Sequence, residues 1–420
     1  MADRPSTLDV LLGGVHVARL HQEGRLRPIR CEYTEAALQR WPGNTPVLSC
    51  SLPLMPRMQD PTPFLEGLLP EGEARALIAA DLRVVASDAW MLLVRLGRDV
   101  AGAVQVVPVD RRDVASAPDV DPYTEEELEE AVARLPSRPL DIRDDSELSL
   151  AGIQNKMTLV ALPDGAWGRP VGGYPSTHIL KVEDRRFPGL AELEAAALRL
   201  AADLGLSTVE ARTVDVGGLP CLIVSRYDRR IEDGTVVRIH QEDLCQALAI
   251  DPTRSRGGQA NYERNGGPAL RDAATLLRRF AADVQHEVRQ LFRAMVFTVV
   301  IGNADAHGKN LSLLHPEPGR IELAPLYDTV PTALFDQLPR RCAMSVNGVM
   351  SDLASITAAD LISEVVGRSR WGLTPATARE LLDEVLVDLG RALEEGVVTG
   401  RLAGHVAERS RQLRDQLTAA

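Results

Sequence analysis

The sequence predicts an α+β protein of two lobes, with a β-rich first half and a mainly helical second half. Near the start, LDVLLGGVHVARL has two β-forming runs around Gly13-Gly14, which is the composition of a hairpin. Three further strand candidates, KMTLVAL, THILKV and CLIVSRY, follow in the middle of the chain. From His240 onward the apolar spacing is helical, except for one hairpin predicted at about 311–327.

Four segments follow from this pattern. Residues 1–107 are predicted as an N-terminal α/β subdomain, in which short helices precede the strand AVQVV. Residues 108–145 are rich in Asp, Glu, Arg, Ser and Pro, and are predicted as a connection between lobes with an exposed helix at TEEELEEAVARL. Residues 146–228 hold the middle strands and the helix AELEAAALRLAADLGL, and residues 229–420 form the mainly helical lobe.

Length and composition limit the class of protein. The chain has 420 residues, 45% hydrophobic and 25% charged, as in ordinary globular proteins, which excludes a disordered chain and a small disulfide scaffold. The net charge is 47 basic minus 59 acidic residues, or −12, so the chain as a whole is repelled by DNA and by anionic membranes. Contact with nucleic acid then requires a local patch or a partner.

Cysteine usage and hydropathy predict where the protein works. The five cysteines are scattered without a CxxC pair, which indicates the reducing cytoplasm rather than a zinc or disulfide motif. The longest nearly apolar run, Ala294 to Ile301, is too short to span a bilayer, and the N-terminus lacks the pattern of a signal peptide. We therefore expect a cytoplasmic protein that does not associate with membranes.

The segment FTVVIGNADAHGKNLSLLHPEPGRIELAPLYD, residues 297–328, carries the strongest chemical signal. An apolar helix ends in a polar loop, and the hairpin that follows brings Asp328 back beside Asp305 and Asn310. Such a set suits phosphoryl transfer: Asp305 orients or deprotonates the attacking hydroxyl, Asn310 and Asp328 hold Mg²⁺, and Lys309 neutralises the transferring phosphate. The alternatives are unrelated loop carboxylates, or a transition-metal site through Asp305 and His307.

Nucleotide contacts are predicted upstream of this segment. Lys181 ends the apolar strand HILK, and Glu194 lies on the inward edge of the next helix, the arrangement that fixes the α- and β-phosphates in kinases. The strand LPCLIV leads into SRYD, where the backbone around Ser225 and Tyr227 is a candidate hinge for adenine and Asp228 a candidate ribose contact. A snorkelling lysine and a solvated carboxylate are the competing interpretation.

The stretch SLAGIQNK, residues 149–156, is a candidate phosphate-binding loop. The small residues Ala151 and Gly152 allow backbone N–H groups to approach phosphates, and Lys156 adds a charge. Ser149 stands at the mouth of this loop. A single glycine makes the pattern weak on its own.

Six motifs, in this order and spacing, resemble the HipA family of bacterial serine/threonine kinase toxins. The likeness runs from about residue 9 to beyond residue 345, and LGRDVAGAVQVVP is similar to the end of the N-terminal subdomain of that family. The motifs are SLAGIQNK, HILK, RYDRR, RIHQEDLCQALAI, IGNADAHGKN and LAPLYD. The resemblance implies a two-lobed protein-kinase-like fold with a small β-rich N-terminal subdomain, and the use of ATP and Mg²⁺.

The resemblance also implies roles for individual residues. Asp305 corresponds to the catalytic base, Asn310 and Asp328 to the Mg²⁺ ligands, and Lys181 to the lysine that binds the ATP phosphates. Ser149 corresponds to the serine that these kinases autophosphorylate. The segment 146–228 is then the nucleotide-binding part of the first lobe.

A partner is implied in the same way. The family acts with a small helix-turn-helix antitoxin that binds operator DNA and the kinase, so DNA contact is expected only through that partner, and family targets include aminoacyl-tRNA synthetases. The alternatives are a small-molecule kinase of the aminoglycoside or choline type, and a catalytically silent co-repressor. Ser146 is an alternative phosphate acceptor, although Asp144 and Asp145 make its surroundings more anionic.

Overall fold

The structure, a computed structural model, describes residues 4–109, 119–137, 139–141, 155–253, 259–366 and 371–419. The chain folds into two compact units. The first unit contains residues 1–183, 214–253 and 314–319, and the second contains residues 184–213, 254–313 and 320–420. The mixture of sheets and helices confirms the predicted α+β fold.

Fifteen strands lie in the described ranges. They are β1 (Thr7–Leu12), β2 (Val15–His21), β3 (Arg30–Tyr33), β4 (Val104–Pro108), β5 (Asp119–Pro122), β6 (Lys156–Ala161), β7 (Trp167–Val171), β8 (His178–Val182), β9 (Ala211–Val216), β10 (Leu219–Ser225), β11 (Arg229–Glu232), β12 (Thr235–Arg238), β13 (His240–Asp243), β14 (Ser312–Glu317) and β15 (Arg320–Leu323).

Twelve α-helices lie in the same ranges. They are α1 (Glu35–Arg40), α2 (Thr62–Gly67), α3 (Gly72–Asp81), α4 (Ala89–Leu96), α5 (Glu125–Arg134), α6 (Leu190–Asp203), α7 (Leu244–Ala247), α8 (Leu270–Phe280), α9 (Val284–Ile301), α10 (Ala358–Val366), α11 (Pro375–Glu394) and α12 (Gly400–Ala419). None of these helices combines the length and the apolar character that a bilayer crossing requires.

The first sheet has the strand order β3-β2-β1-β4 and belongs to the first unit. The predicted hairpin at its centre is present: β1 and β2 are antiparallel and meet at Gly13 and Gly14, which have φ values of 55° and 80°. Two consecutive residues with positive φ are what a tight two-residue hairpin turn requires. The sheet packs on α4, whose Trp90 and Leu93 are completely buried.

The second sheet has the strand order β5-β7-β6-β8-β10-β9. One face is covered by α5, which buries Ala131 and Val132 against apolar side chains of the sheet, namely Leu159, Leu180 and Ile223. The helix predicted at TEEELEEAVARL is therefore present, but it is exposed on its outer side alone. The segment predicted as a connection between lobes supplies both an edge strand, β5, and the helix that covers the sheet.

The second unit is mainly helical and is organised around α9. This helix buries apolar residues on several faces, including Leu291, Phe292 and Val300, and it packs on α8, α11 and α12. The strand β15 lies beside it, because the backbone N–H of Leu323 donates to the Glu287 carboxylate at 2.7 Å. A helix apolar on most of its circumference belongs at the centre of a domain.

Candidate active site

A polar loop, residues 303–310, begins where α9 ends. Gly302 terminates the helix in the left-handed conformation with φ 78°, and its N–H donates to the Thr298 carbonyl. A Cβ at this position would lie 2.7 Å from the Cβ of Ala333, so both the backbone conformation and the available space require glycine. The chain therefore leaves the buried helix at a fixed point and in a fixed direction.

Hydrogen bonds within the loop fix its shape. The carbonyl oxygen of Asp305 accepts from the His307 N–H at 2.8 Å and from Nδ2 of Asn310 at 3.0 Å. The Asn310 N–H donates to the His307 carbonyl at 2.9 Å, and the Lys309 carbonyl accepts from the Tyr327 hydroxyl at 2.6 Å. Since Nδ2 of Asn310 is directed at Asp305, its Oδ1 is the atom that can bind a cation.

Asn303 links the loop to the segment that returns after β15. Its Oδ1 accepts from the Asp305 N–H at 3.0 Å, and its Nδ2 lies 3.5 Å from the Asp328 carbonyl oxygen. Asp328 has φ 53°, an unusual value for a residue with a Cβ and one that is common at functional sites. The structure thus brings Asp305, Asn310 and Asp328 together, and it shows a role for Asn303 that the sequence did not indicate.

The electrostatics of this group favour a cation. The Asp305 side chain reaches the surface, yet desolvation by the surrounding protein raises the pKa of its carboxyl, and the negative charge of Asp328 raises it further. Asp328 and the amide oxygen of Asn310 supply hard oxygen ligands of the kind that suit Mg²⁺, and the neighbouring Asp305 carboxylate adds negative charge that favours a cation. The donor set present therefore fits the predicted metal.

The competing transition-metal site at Asp305 and His307 receives no support. Nδ1 of His307 accepts from the Lys309 N–H at 3.2 Å, so one ring nitrogen already belongs to the loop. Among the described residues, the group of three His, Cys, Asp or Glu side chains close enough to share a metal is Cys50, Glu242 and His315. The Glu242 carboxylate in that group is already engaged by Ser49, by the Cys50 N–H and by His315.

Two lysines face each other on the second sheet. Lys156 on β6 and Lys181 on β8 are directly opposite in the antiparallel register, so their side chains lie on the same face. The neighbouring register pair, Met157 and Leu180, points to the face that α5 covers, so the lysines lie on the other face. Two ammonium groups on one face can contact one anion together, which is a property that a phosphate site needs.

Lysine itself is rare in this chain. Lys156, Lys181 and Lys309 are the only lysines among its 47 basic residues, and the other 44 are arginines. Arginine therefore supplies positive charge wherever a general cation is sufficient, while lysine occurs at the three positions predicted to contact phosphates. An ammonium binds phosphate as a compact point charge, whereas a guanidinium binds it through a planar fork, so the two cations are not interchangeable at one site. This signal was available in the sequence and was missed.

The predicted hinge region has a different character from the one expected. Asp228 is 4% exposed, and its carboxylate binds the guanidinium of Arg226 at 2.8 and 2.9 Å, the Gly102 N–H at 2.7 Å and Arg229 at 3.0 Å. Although burial opposes ionisation, the two arginines hold the pKa of this carboxyl well below its usual range. Its oxygens are engaged in a buried ion network, and the ribose contact predicted for Asp228 stays a prediction.

The remaining predicted residues are placed as follows. Ser225 is the last residue of β10, and the Tyr227 hydroxyl donates to Gln241 at 2.8 Å. Glu194 is buried on α6 in the second unit, and Lys309 is buried in the loop. The pairing of Lys181 with Glu194, the adenine hinge and the phosphate contact of Lys309 stay predictions. The predicted positions Ser149, Ala151 and Gly152 lie outside the described residues.

Comparisons with known proteins place the chain among kinases. A family model of the HipA-like C-terminal domain matches residues 148–393, and a model of the HipA N-terminal domain matches residues 8–107. Y4mE of Sinorhizobium fredii, which carries a provisional kinase name, is 38% identical over 400 residues, covering 91% of this chain and 92% of that protein. The serine/threonine-protein kinase toxin HipA of Shewanella oneidensis is 29% identical, covering 81% of this chain and 78% of that protein.

A solved structure gives the same result. The complex of HipA, HipB and operator DNA from Shewanella oneidensis superposes with a TM-score of 0.77 and 25% identity, covering 98% of this chain and 97% of that chain. Fold and site together define the class: the protein is a serine/threonine kinase. The chain belongs to the HipA family.

Proposed function

We propose that this kinase transfers the γ-phosphoryl group of Mg²⁺-ATP to serine or threonine hydroxyls of a protein, and that it acts as the toxin of a toxin–antitoxin pair. The observation that carries the proposal is that Asp305 and Asn310, on one hydrogen-bonded loop, lie beside Asp328 on the segment that follows β15. In phosphoryl transfer the protein mainly positions the reactants and stabilises charge, so a rigid loop of this kind is the central requirement.

In this proposal Asp305, Asn310 and Asp328 have separate tasks. Asp305 accepts the hydrogen bond of the attacking hydroxyl and takes its proton. Asn310 and Asp328 hold Mg²⁺, which neutralises negative charge on the ATP phosphates. The Asp305 N–H donates to Asn303, and Asn310 donates to the Asp305 carbonyl, so the backbone that carries the Asp305 carboxylate is held in place without reorganisation during the reaction.

The lysine pair supports ATP as the phosphate donor, because it offers binding groups for the phosphates of a nucleotide. Lys156 and Lys181 lie opposite each other on one face of the second sheet, so phosphates bound across the pair meet two compact positive charges. The low lysine content makes this claim directly measurable. Amine-reactive labelling of the intact protein reports on three side chains and the N-terminal amine alone.

We expect Mg²⁺-ATP to protect Lys156 and Lys181 from amine-reactive labelling, while the N-terminal amine remains as reactive as before. Labelling of all three lysines at unchanged rates in saturating Mg²⁺-ATP would contradict the proposed phosphate site. Peptide mass spectrometry resolves each lysine separately, so partial protection of one residue identifies which of them contacts the nucleotide.

Substitution at Lys181 distinguishes the contribution of its positive charge from that of the compact shape of the ammonium group. Lys181→Arg keeps the positive charge but replaces the compact ammonium, and we expect ATP-dependent turnover to fall by about 10- to 100-fold through misplacement of the phosphates. The reciprocal control is Arg230→Lys, at an exposed residue paired with Glu232. Turnover of Lys181→Arg equal to wild type would show that no close phosphate contact exists at this lysine.

The proposed toxin function involves a DNA-binding antitoxin partner and autophosphorylation. The solved relative was crystallised with HipB and operator DNA, and we infer a small DNA-binding antitoxin partner for this chain as well. With a net charge of −12 the isolated chain is expected to bind operator DNA weakly, and tight, salt-dependent binding without a partner would contradict this view. Autophosphorylation at Ser149 and an aminoacyl-tRNA synthetase as substrate are proposed from the family resemblance.

A further inference from the structure

Tyr262 contacts the proposed catalytic carboxylate directly. Its hydroxyl donates a hydrogen bond to Oδ1 of Asp305. The sequence alone gives Tyr262 no role, since it lies 43 positions before Asp305. One carboxylate oxygen is thereby occupied by the protein, which leaves Oδ2 for an acceptor hydroxyl.

The ring of Tyr262 is held from two sides. The guanidinium carbon of Arg264 lies 4.5 Å from the ring centroid, and the His307 ring packs edge-on with a centroid distance of 5.0 Å and an interplanar angle of 75°. Cation–π and edge-to-face contacts of this kind fix the plane of an aromatic ring. The phenol is therefore clamped in position rather than resting loosely on the loop.

The backbone on either side of Tyr262 is fastened to its surroundings. The Gly308 N–H donates to the Asn261 carbonyl at 2.9 Å, and a Cβ on Gly308 would lie only 2.5 Å from Pro268. The Glu263 carboxylate accepts from the Ser345 N–H at 2.6 Å and from the Ser345 hydroxyl at 3.0 Å. Because the segment is tied to the catalytic loop, the hydroxyl reaches Asp305 at a set position.

We propose that Tyr262 is a positioning residue for Asp305: its clamped hydroxyl fixes the carboxylate so that Oδ2 receives the acceptor hydroxyl. The proposal rests on the kinase function assigned above to Asp305. A mobile tyrosine could instead occupy the place of the acceptor and leave when substrate arrives, but the contacts of Arg264 and His307 hold the ring where it is. The hydrogen bond also favours the ionised form of Asp305, which is the form that accepts a hydrogen bond from the acceptor.

The chemistry of the phenol suits this role over a wide pH range. Burial and the negative charge of Asp305 raise the pKa of Tyr262 well above its usual value, so the hydroxyl stays protonated and remains a donor. The hydrogen bond from Tyr262 in turn lowers the pKa of Asp305, against the larger effect of desolvation, which raises it.

The test is Tyr262→Phe in the full-length protein, which keeps the ring contacts and deletes the donor. We expect kcat for phosphoryl transfer to fall by about 10- to 100-fold, with the KM for ATP within about twofold of wild type, since orientation and not binding is lost. Tyr174→Phe is the matched control, because its hydroxyl has no hydrogen bond to the residues that the structure describes.

A double-mutant cycle separates positioning from general destabilisation. If Tyr262 acts through Asp305, the effect of Tyr262→Phe disappears in the Asp305→Asn background, whereas a structural effect would add to it. Additive losses, or phosphotyrosine at position 262, would each overturn the proposal, the second because it would make this tyrosine an acceptor. A rate above wild type in Tyr262→Phe would also overturn it, by showing that the tyrosine blocks the site.

A measurement without turnover keeps this proposal separate from the proposed function. In protein labelled with ¹³C at aspartate carboxyls, the resonance missing in Asp305→Asn identifies Asp305. At one fixed neutral pH we expect this resonance to shift in Tyr262→Phe, because the hydrogen bond from the phenol to Oδ1 is lost, whether or not the chain phosphorylates the substrate offered. An unchanged resonance contradicts the Tyr262 proposal, and an inactive wild type with the expected shift contradicts only the kinase assignment of the loop.

Discussion

Asp305→Asn is expected to lower the rate of phosphoryl transfer by about 10² to 10⁴-fold, because the amide neither takes the proton of the acceptor hydroxyl nor orients it as a carboxylate does. Mg²⁺-ATP affinity should change little, since Asn310 and Asp328 are the proposed metal ligands. Single-turnover transfer of labelled phosphate gives the rate, and isothermal titration gives the affinity.

The matched control for this substitution is Asp336→Asn, at a carboxylate whose side chain is 92% exposed and pairs with Arg340. That variant should retain the wild-type rate. Transfer at the wild-type rate in Asp305→Asn would remove this residue from the chemistry. If Asp305→Asn lowers both the affinity for Mg²⁺-ATP and the transfer rate, Asp305 is a metal ligand and not the base.

Asp228→Ala is expected to reduce the free energy of unfolding by about 3 to 5 kcal/mol, because it leaves the guanidiniums of Arg226 and Arg229 buried without this partner. Both arginines have side chains that are at most 3% exposed. Urea denaturation followed by circular dichroism measures the change. The carboxyl has its low pKa only in the folded state, so its contribution to stability is present at neutral pH and is lost as the pH falls below the ordinary range of aspartate.

Glu232→Ala is the control for Asp228→Ala, since it removes the partner of Arg230 in an ion pair that is half exposed. An exposed pair contributes about 0 to 1 kcal/mol, so this variant should be nearly as stable as wild type. A stable Asp228→Ala protein with weakened ATP binding would contradict the structural role and support the ribose contact predicted from the sequence.

Local patterns predicted the parts of the fold that depend on neighbouring residues. Gly13-Gly14 determined the first hairpin, because both positions require positive φ. The apolar helix preceding the loop at 303–310 was predicted, and the glycine at its end explains why the helix stops there. The Asp-x4-Asn spacing and the returning hairpin were sufficient to place Asp305, Asn310 and Asp328 in one group.

Contacts between distant segments could not be predicted in the same way. The pairing of Lys156 with Lys181 depends on the register of two strands that are neighbours in the sheet but have β7 between them in the sequence. Asp228 accepts a hydrogen bond from Gly102, which lies 126 positions earlier. Tyr262 reaches Asp305 because its segment packs on the loop near Gly308, which no local periodicity indicates. The amphipathic character of α5 was present in the sequence, but its many glutamates concealed the apolar stripe that packs on the sheet.

The central claim, transfer of phosphate from Mg²⁺-ATP to a protein hydroxyl, is tested most directly by incubating the purified full-length protein with labelled Mg²⁺-ATP and mapping the product by mass spectrometry. We expect Mg²⁺-dependent phosphoserine at Ser149 in wild type and none in Asp305→Asn. Phosphoserine at Ser146 instead would identify a different acceptor serine and would still support the kinase activity. Protein that remains unlabelled while it binds Mg²⁺-ATP, or equal labelling in Asp305→Asn, would contradict the claim.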